Sequence, residues 1–78
     1  MNLGDNIIQL RKIYNISQEE LADRLNVFRQ TIYKWEASLA VPRADHIMKL
    51  VEVFGITYND LFSGNLDYAK LEKNKKKD

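Results

Sequence analysis

The chain has 78 residues, no cysteine, and 12 basic against 11 acidic side chains, a net charge of +1. That length holds one domain with a small core, and the lack of cysteine excludes disulfide staples and thiolate metal centres. No apolar run approaches the roughly 20 residues that cross a membrane, and Met1 to Asp5 shows no signal-peptide pattern, so the cytoplasm is the expected compartment.

Asn2 is placed to cap a first helix, along which Leu3, Ile7, Leu10 and Tyr14 recur at helical spacing. Asn15 tolerates the left-handed conformation that ends such a helix. Ser17-Gln18-Glu19-Glu20 reads as a capping box, with the Ser17 hydroxyl and the Glu20 carboxylate each facing an orphan amide. Leu21, Ala22 and Leu25 form the inward stripe of a short second helix that Asn26 closes. A third helix is expected over residues 28–37, with Ile32 and Trp35 turned inward. Pro42 ends the next loop. Ile47, Leu50, Val51 and Phe54 then mark a fourth helix, stopped by Gly55. Thr57 and Asp60 open a short fifth that contains Leu61 and Phe62. No segment alternates with period two, so the expected class is all-α, folded over residues 1–64. Residues 65–78 form an extension in which Leu66, Tyr68 and Leu71 stand among polar residues. Its lysine-rich end has the composition of a disordered, solvated segment that would add non-specific attraction for phosphate.

Only Asn26 and Val27 separate the second helix from the third. Two helices cross steeply over so short a turn when a small side chain sits where their backbones approach, and Ala22 supplies it. The spacing Gln18, Ala22, Asn26, Ile32, Trp35 is the helix-turn-helix pattern, here within residues 17–36, whose second helix can project into a major groove. With so small a net charge, binding to nucleic acid requires basic residues gathered on one face.

Ser17-Gln18-Glu19-Glu20-Leu21-Ala22, followed by Val27-Phe28-Arg29-Gln30-Thr31-Ile32-Tyr33-Lys34-Trp35-Glu36, resembles the phage-repressor and Cro type of helix-turn-helix family. Bacterial regulators of the xenobiotic-response-element group belong to that family. The likeness runs from Leu3 to Phe62 and takes in Pro42 and the closing Tyr58-Asn59-Asp60-Leu61-Phe62. It implies a compact five-helix, lambda-repressor-like domain with double-stranded DNA as partner and the third helix in the major groove. By position, Gln18 would contact a phosphate, while Arg29, Gln30, Tyr33 and Lys34 would face the bases. Arg can fork onto guanine O6 and N7, and Gln onto adenine N6 and N7. Phe28 and Arg43 would lie along the DNA backbone, and Arg11 would pair with Glu36. Two departures stand out. Phe28 replaces the Ser or Thr that usually caps the recognition helix and touches phosphate, leaving that helix start open to fraying, or the ring free to meet a sugar or a thymine methyl. The loop from Ala37 to Val41 lacks the glycine often found there.

On periodicity alone, Arg29, Gln30 and Lys34 read as a solvated helix face, and it is the motif around them that turns the reading toward DNA. Tyr58, Leu61, Phe62, Leu66, Tyr68 and Leu71 either cap the small core or form a two-fold homodimer interface, which would set two recognition helices about 34 Å apart. His46 is the only histidine and has no second ligand or nucleophile beside it, so a surface role is expected. With no phosphate-cradling glycine loop, metal-ligand cluster or nucleophile–base pair, no enzyme, metal, cofactor or small-molecule ligand is expected. Two classes of function remain. One is a small transcriptional regulator, a repressor by occupancy of its operator. The other is a protein-interaction module such as the antitoxin of a toxin–antitoxin pair.

Overall fold

A computed structural model describes residues 2–64 and 66. Five helices follow one another: α1 (Leu3–Tyr14), α2 (Gln18–Leu25), α3 (Arg29–Glu36), α4 (Ala44–Phe54) and α5 (Tyr58–Ser63). No strand occurs among the described residues, so the all-α, five-helix expectation holds. The third helix is one residue shorter at each end than its pattern suggested, because Phe28 and Ala37 serve as its flanking caps.

Short-range chemistry sets the ends of most helices. The Asn2 side chain accepts from the Asp5 amide, Ser17 from the Glu20 amide and Thr57 from the Asp60 amide. Only at α5 is the capping box reciprocal, with Asp60 accepting from the Thr57 amide. At α2 the expected second half is replaced: the Glu20 carboxylate accepts from Arg24 at 2.7 Å, one turn further on, in an exposed ion pair. At the other ends, Asn15, Asn26 and Gly55 adopt the left-handed conformation. After each, the next amide reaches back to a carbonyl five residues earlier: Ile16 to Arg11, Val27 to Ala22, Ile56 to Val51. This is the Schellman closure. The glycine-free loop after α3 closes in the same way through Ser38, at φ 61°, with the Leu39 amide donating to the Lys34 carbonyl.

Ile7 and Leu10 of α1, Leu21 and Leu25 of α2, Ile32 and Trp35 of α3, Leu50 and Phe54 of α4 and Leu61 of α5 meet in one core. Ala22 is buried, and α2 packs directly on α3. Helix α1 packs on α3 and α5, while α4 packs on α2 and α5. Tyr14 donates its hydroxyl proton to the Phe54 carbonyl and sets its ring edge-on to the Phe54 ring. The Asn6 amide, wholly buried, donates to the Leu61 carbonyl at 2.7 Å and so fastens α5 to α1.

Leu61 and Leu66 belong to this core. Tyr68 and Leu71 lie outside the described residues.

One close approach had no local signal. A Cβ placed on Gly4 would fall 2.5 Å from the Glu36 carbonyl oxygen and 2.6 Å from that of Trp35. Both obstacles are main chain, so no rotamer change relieves them. Helix α1 therefore lies against the end of α3 at a distance only glycine permits. Gly4→Ala should cost about 1–3 kcal/mol of stability, the usual penalty of forcing extra volume into a packed contact, read as a lowered urea midpoint.

Candidate nucleic-acid interface

Helix α3 divides its residues cleanly. Ile32, Trp35 and Glu36 turn inward, while Arg29, Gln30, Tyr33 and Lys34 are exposed together on the outer side. These four carry two cations, an amide and a phenol, each able to hydrogen-bond. They are the four residues that the family resemblance placed toward DNA, and the helix leaves all four exposed.

Beneath that face lies a hydrogen-bonded chain of side chains. The Glu36 carboxylate, only 5% exposed, is gripped by the Arg11 guanidinium as a fork. Arg11 Nε donates to Glu36 Oε2 at 2.6 Å and Nη2 to Oε1 at 3.0 Å. The remaining Arg11 amino group donates to the Ile16 carbonyl at 3.2 Å, in the turn between α1 and α2. Gln18, first residue of α2, donates from Nε2 to Glu36 Oε1 at 2.9 Å. Its own Oε1 accepts from Arg29 Nη1 at 3.4 Å. The first three helices are thus joined to one carboxylate, and an exposed arginine of α3 is joined to them through Gln18. The expected Arg11–Glu36 pair is present, and Gln18 is its third member, which nothing in the local sequence indicates.

Arg11, Ser17, Gln18, Glu19 and Arg29 line an open hollow of about 500 Å³ beside the start of α2. Arg29 brings an exposed guanidinium to its edge and Glu19 a carboxylate, while the Arg11 and Gln18 donors there are already engaged with Glu36 and Ile16. Arg43, the N-cap residue of α4, is exposed and pairs with Asp45 at 3.1 Å. Desolvation pushes the Asp45 carboxyl up. The Arg43 hydrogen bond and charge, with the charge and backbone amide of His46, outweigh it and hold the carboxyl below its ordinary value. Arg43 thus has an acidic neighbour with which any phosphate must compete. His46 is half-buried, its ring 5.3 Å from that of Trp35, so it packs against the core rather than standing free at the surface.

Phe28 makes no side-chain bond to the first turn of α3 and is 80% exposed. Its backbone, at φ −76° and ψ 150°, is nonetheless that of an N-cap residue. Elsewhere, Tyr58 and Phe62 of α5 are half-exposed, and Leu39 and Val41 of the loop after α3 are exposed. Val41 and Phe62 share an apolar hollow of about 270 Å³ with Leu3, Gly4 and Trp35.

Residues 7–61 match the model of the Helix-turn-helix family. The chain is 34% identical over 64 residues to the HTH-type transcriptional activator BcrR of Enterococcus faecalis, covering 82% of this chain and 31% of that protein. It is 40% identical over 63 residues to a protein of Methanothermobacter thermautotrophicus named as an HTH-type transcriptional regulatory protein, covering 77% of this chain and 20% of that one. It is also 36% identical over 52 residues to an uncharacterized HTH-type transcriptional regulator of Methanocaldococcus jannaschii, covering 67% of this chain and 79% of that one. The chain thus spans less than a third of the first two relatives. No solved structure matches it.

Two stability measurements check this architecture. Glu36→Ala strands the partly buried Arg11 guanidinium and should cost about 3 kcal/mol in denaturant unfolding. Phe28→Ser supplies the missing cap and should add about 0.5–1 kcal/mol, seen as a rise of several degrees in Tm.

Proposed function

The chain belongs to the Helix-turn-helix family, and from that premise we propose that it binds double-stranded DNA sequence-specifically as a regulator of transcription. The observation that carries this reading is the outer face of α3. Four hydrogen-bonding side chains stand exposed on a helix whose other side is anchored by Ile32, Trp35 and the Glu36–Arg11 pair. In this reading α3 enters the major groove, where Arg29, Gln30, Tyr33 and Lys34 meet base edges. Gln18 and Arg43 meet phosphates, as does the backbone around Phe28. The domain of residues 1–64 does this work, with Leu66 of the extension over residues 65–78 packed into its core.

The active species is a homodimer on a palindromic site, with its contact centred on Tyr58 and Phe62. Their half-exposure, and the exposed Leu39 and Val41, support a surface of this kind. The effect is repression by steric occupancy of an operator, in the cytoplasm where the chromosome lies. The name of the Enterococcus faecalis relative speaks of activation for that longer protein. A reporter carrying the selected site at a promoter separates the two, falling on expression of this chain for a repressor and rising for an activator.

Selection from a randomised duplex library at about physiological salt tests the proposal as a whole. A palindrome with half-sites about one helical turn apart is the expected product. No enrichment, with a tight protein partner recovered instead, would assign the chain to the interaction-module class. On the selected site, Arg29→Ala should cost about 1–3 kcal/mol and relax preference at one base position. Equal losses on all sequences would place Arg29 on phosphate. A dimer neutralising about six to eight phosphates should show a log–log salt slope near −5 to −7.

A further inference from the structure

Phe28 is the one apolar side chain at the leading edge of the polar α3 face. Arg29 and Gln30 follow it directly, and all three are exposed. The ring does not pack with the core, nor does it line the apolar hollow beside Val41 and Phe62. It does nothing for its own helix either, since it makes no cap bond. Folding therefore gives no reason for an exposed aromatic ring here, and its removal in favour of a capping residue would stabilise the chain.

Its value must come from what it meets. A phenyl ring has no donor for a phosphate oxygen, so a backbone contact at this point would fall to main-chain amides and leave the ring unused. Base edges in the major groove are polar with one exception, the C5 methyl of thymine. We propose that Phe28 is a specificity-determining residue that packs its ring on a thymine methyl next to the bases read by Arg29 and Gln30. The inference rests on the DNA-binding reading above and adds to it the identity of one base and the group on that base being read. The neighbouring side chains favour nucleic acid over an apolar protein surface as occupant: a protein covering Phe28 would also have to satisfy Arg29, Gln30 and Lys34.

Replacing thymine by deoxyuracil removes only this methyl and leaves every hydrogen-bonding group in place. With the full chain and its selected duplex, each thymine of one half-site is exchanged in turn, and dissociation constants are measured for the wild type, Phe28→Ala and Phe28→Ser. At a single position the exchange should weaken wild-type binding about three- to fivefold, the worth of one buried methyl group. Both variants should bind the thymine and deoxyuracil duplexes equally at that position while keeping every other base preference. Phe28→Ser separates binding from folding, because it restores the cap and leaves a better-formed helix. Thymine dependence that survives in both variants would overturn the inference, as would an even loss of affinity whichever base is present, the mark of a ring resting on deoxyribose. A selected site with no thymine in the half-site would do the same. If no duplex is selected at all, the DNA-binding reading falls and this inference falls with it.

Discussion

A carboxylate withdrawn from water at the end of a helix must find partners, and in this chain that requirement organises three of the five helices. Glu36 takes both arms of the Arg11 fork and the amide of Gln18. Arg11 comes from α1, Gln18 from the first position of α2 and Glu36 from the last position of α3. A rotation of α1 or α3 about its own axis would break the ion pair and leave a charge without compensation in a low-dielectric setting, and a rotation of α2 would remove the Gln18 hydrogen bond to the carboxylate. Apolar packing alone tolerates small slides of helix on helix. A bidentate pair tolerates much less, since both bonds need the guanidinium and carboxylate planes aligned. Gly4 adds a steric condition at the same place by letting α1 lie against the carbonyls of Trp35 and Glu36. Attraction and close contact together hold the angle at which α3 is presented.

Much of this was legible along the chain, for a physical reason. Helix ends are governed by residues within a turn of one another, and Asn2, Ser17, Asn15, Asn26, Gly55 and Thr57 act through neighbours three to five residues away. The inward stripes were equally local, because burial follows helical period. What the chain hid depends on distance. Nothing near Gly4 says that it will face the main chain of α3, and nothing near Asn6 says that it will reach Leu61, 55 residues on. The Arg11–Glu36 pair, 25 residues apart, is visible in the sequence only through family resemblance. Glu20 shows the opposite failure. Its spacing from Ser17 suited a reciprocal cap, but Arg24 one turn later offered a full charge in place of an amide and won.

The candidate site divides along the same line. Arg29, Gln30, Tyr33 and Lys34 were placed on one face by the family resemblance, and the missing cap at Phe28 followed from its side-chain chemistry. The use of Gln18 could not be read in advance. Its two amide ends serve different masters, one turned to the buried carboxylate and the other to Arg29. Leu61 was open to two readings because a helix of six residues is too short for periodicity to separate a core position from a surface one. Its neighbour Phe62 lies half in solvent while Leu61 is wholly enclosed.

The separation of duties on α3 bears on how such a protein can change. Gln30, Tyr33 and Lys34 take no role in the core or in the Glu36 network, so the fold places almost no thermodynamic constraint on what replaces them. On the proposed reading of α3 as the DNA-facing helix, a gene encoding this domain could acquire a new target sequence through substitutions that leave folding intact, and duplicated copies could diverge in specificity while keeping one scaffold. Arg29 is the exception. Its guanidinium donates to Gln18, which in turn donates to the carboxylate that joins three helices, so a substitution there also removes a bond at the edge of that network. Recoding should therefore proceed fastest toward the far end of the helix and slowest at its first residue.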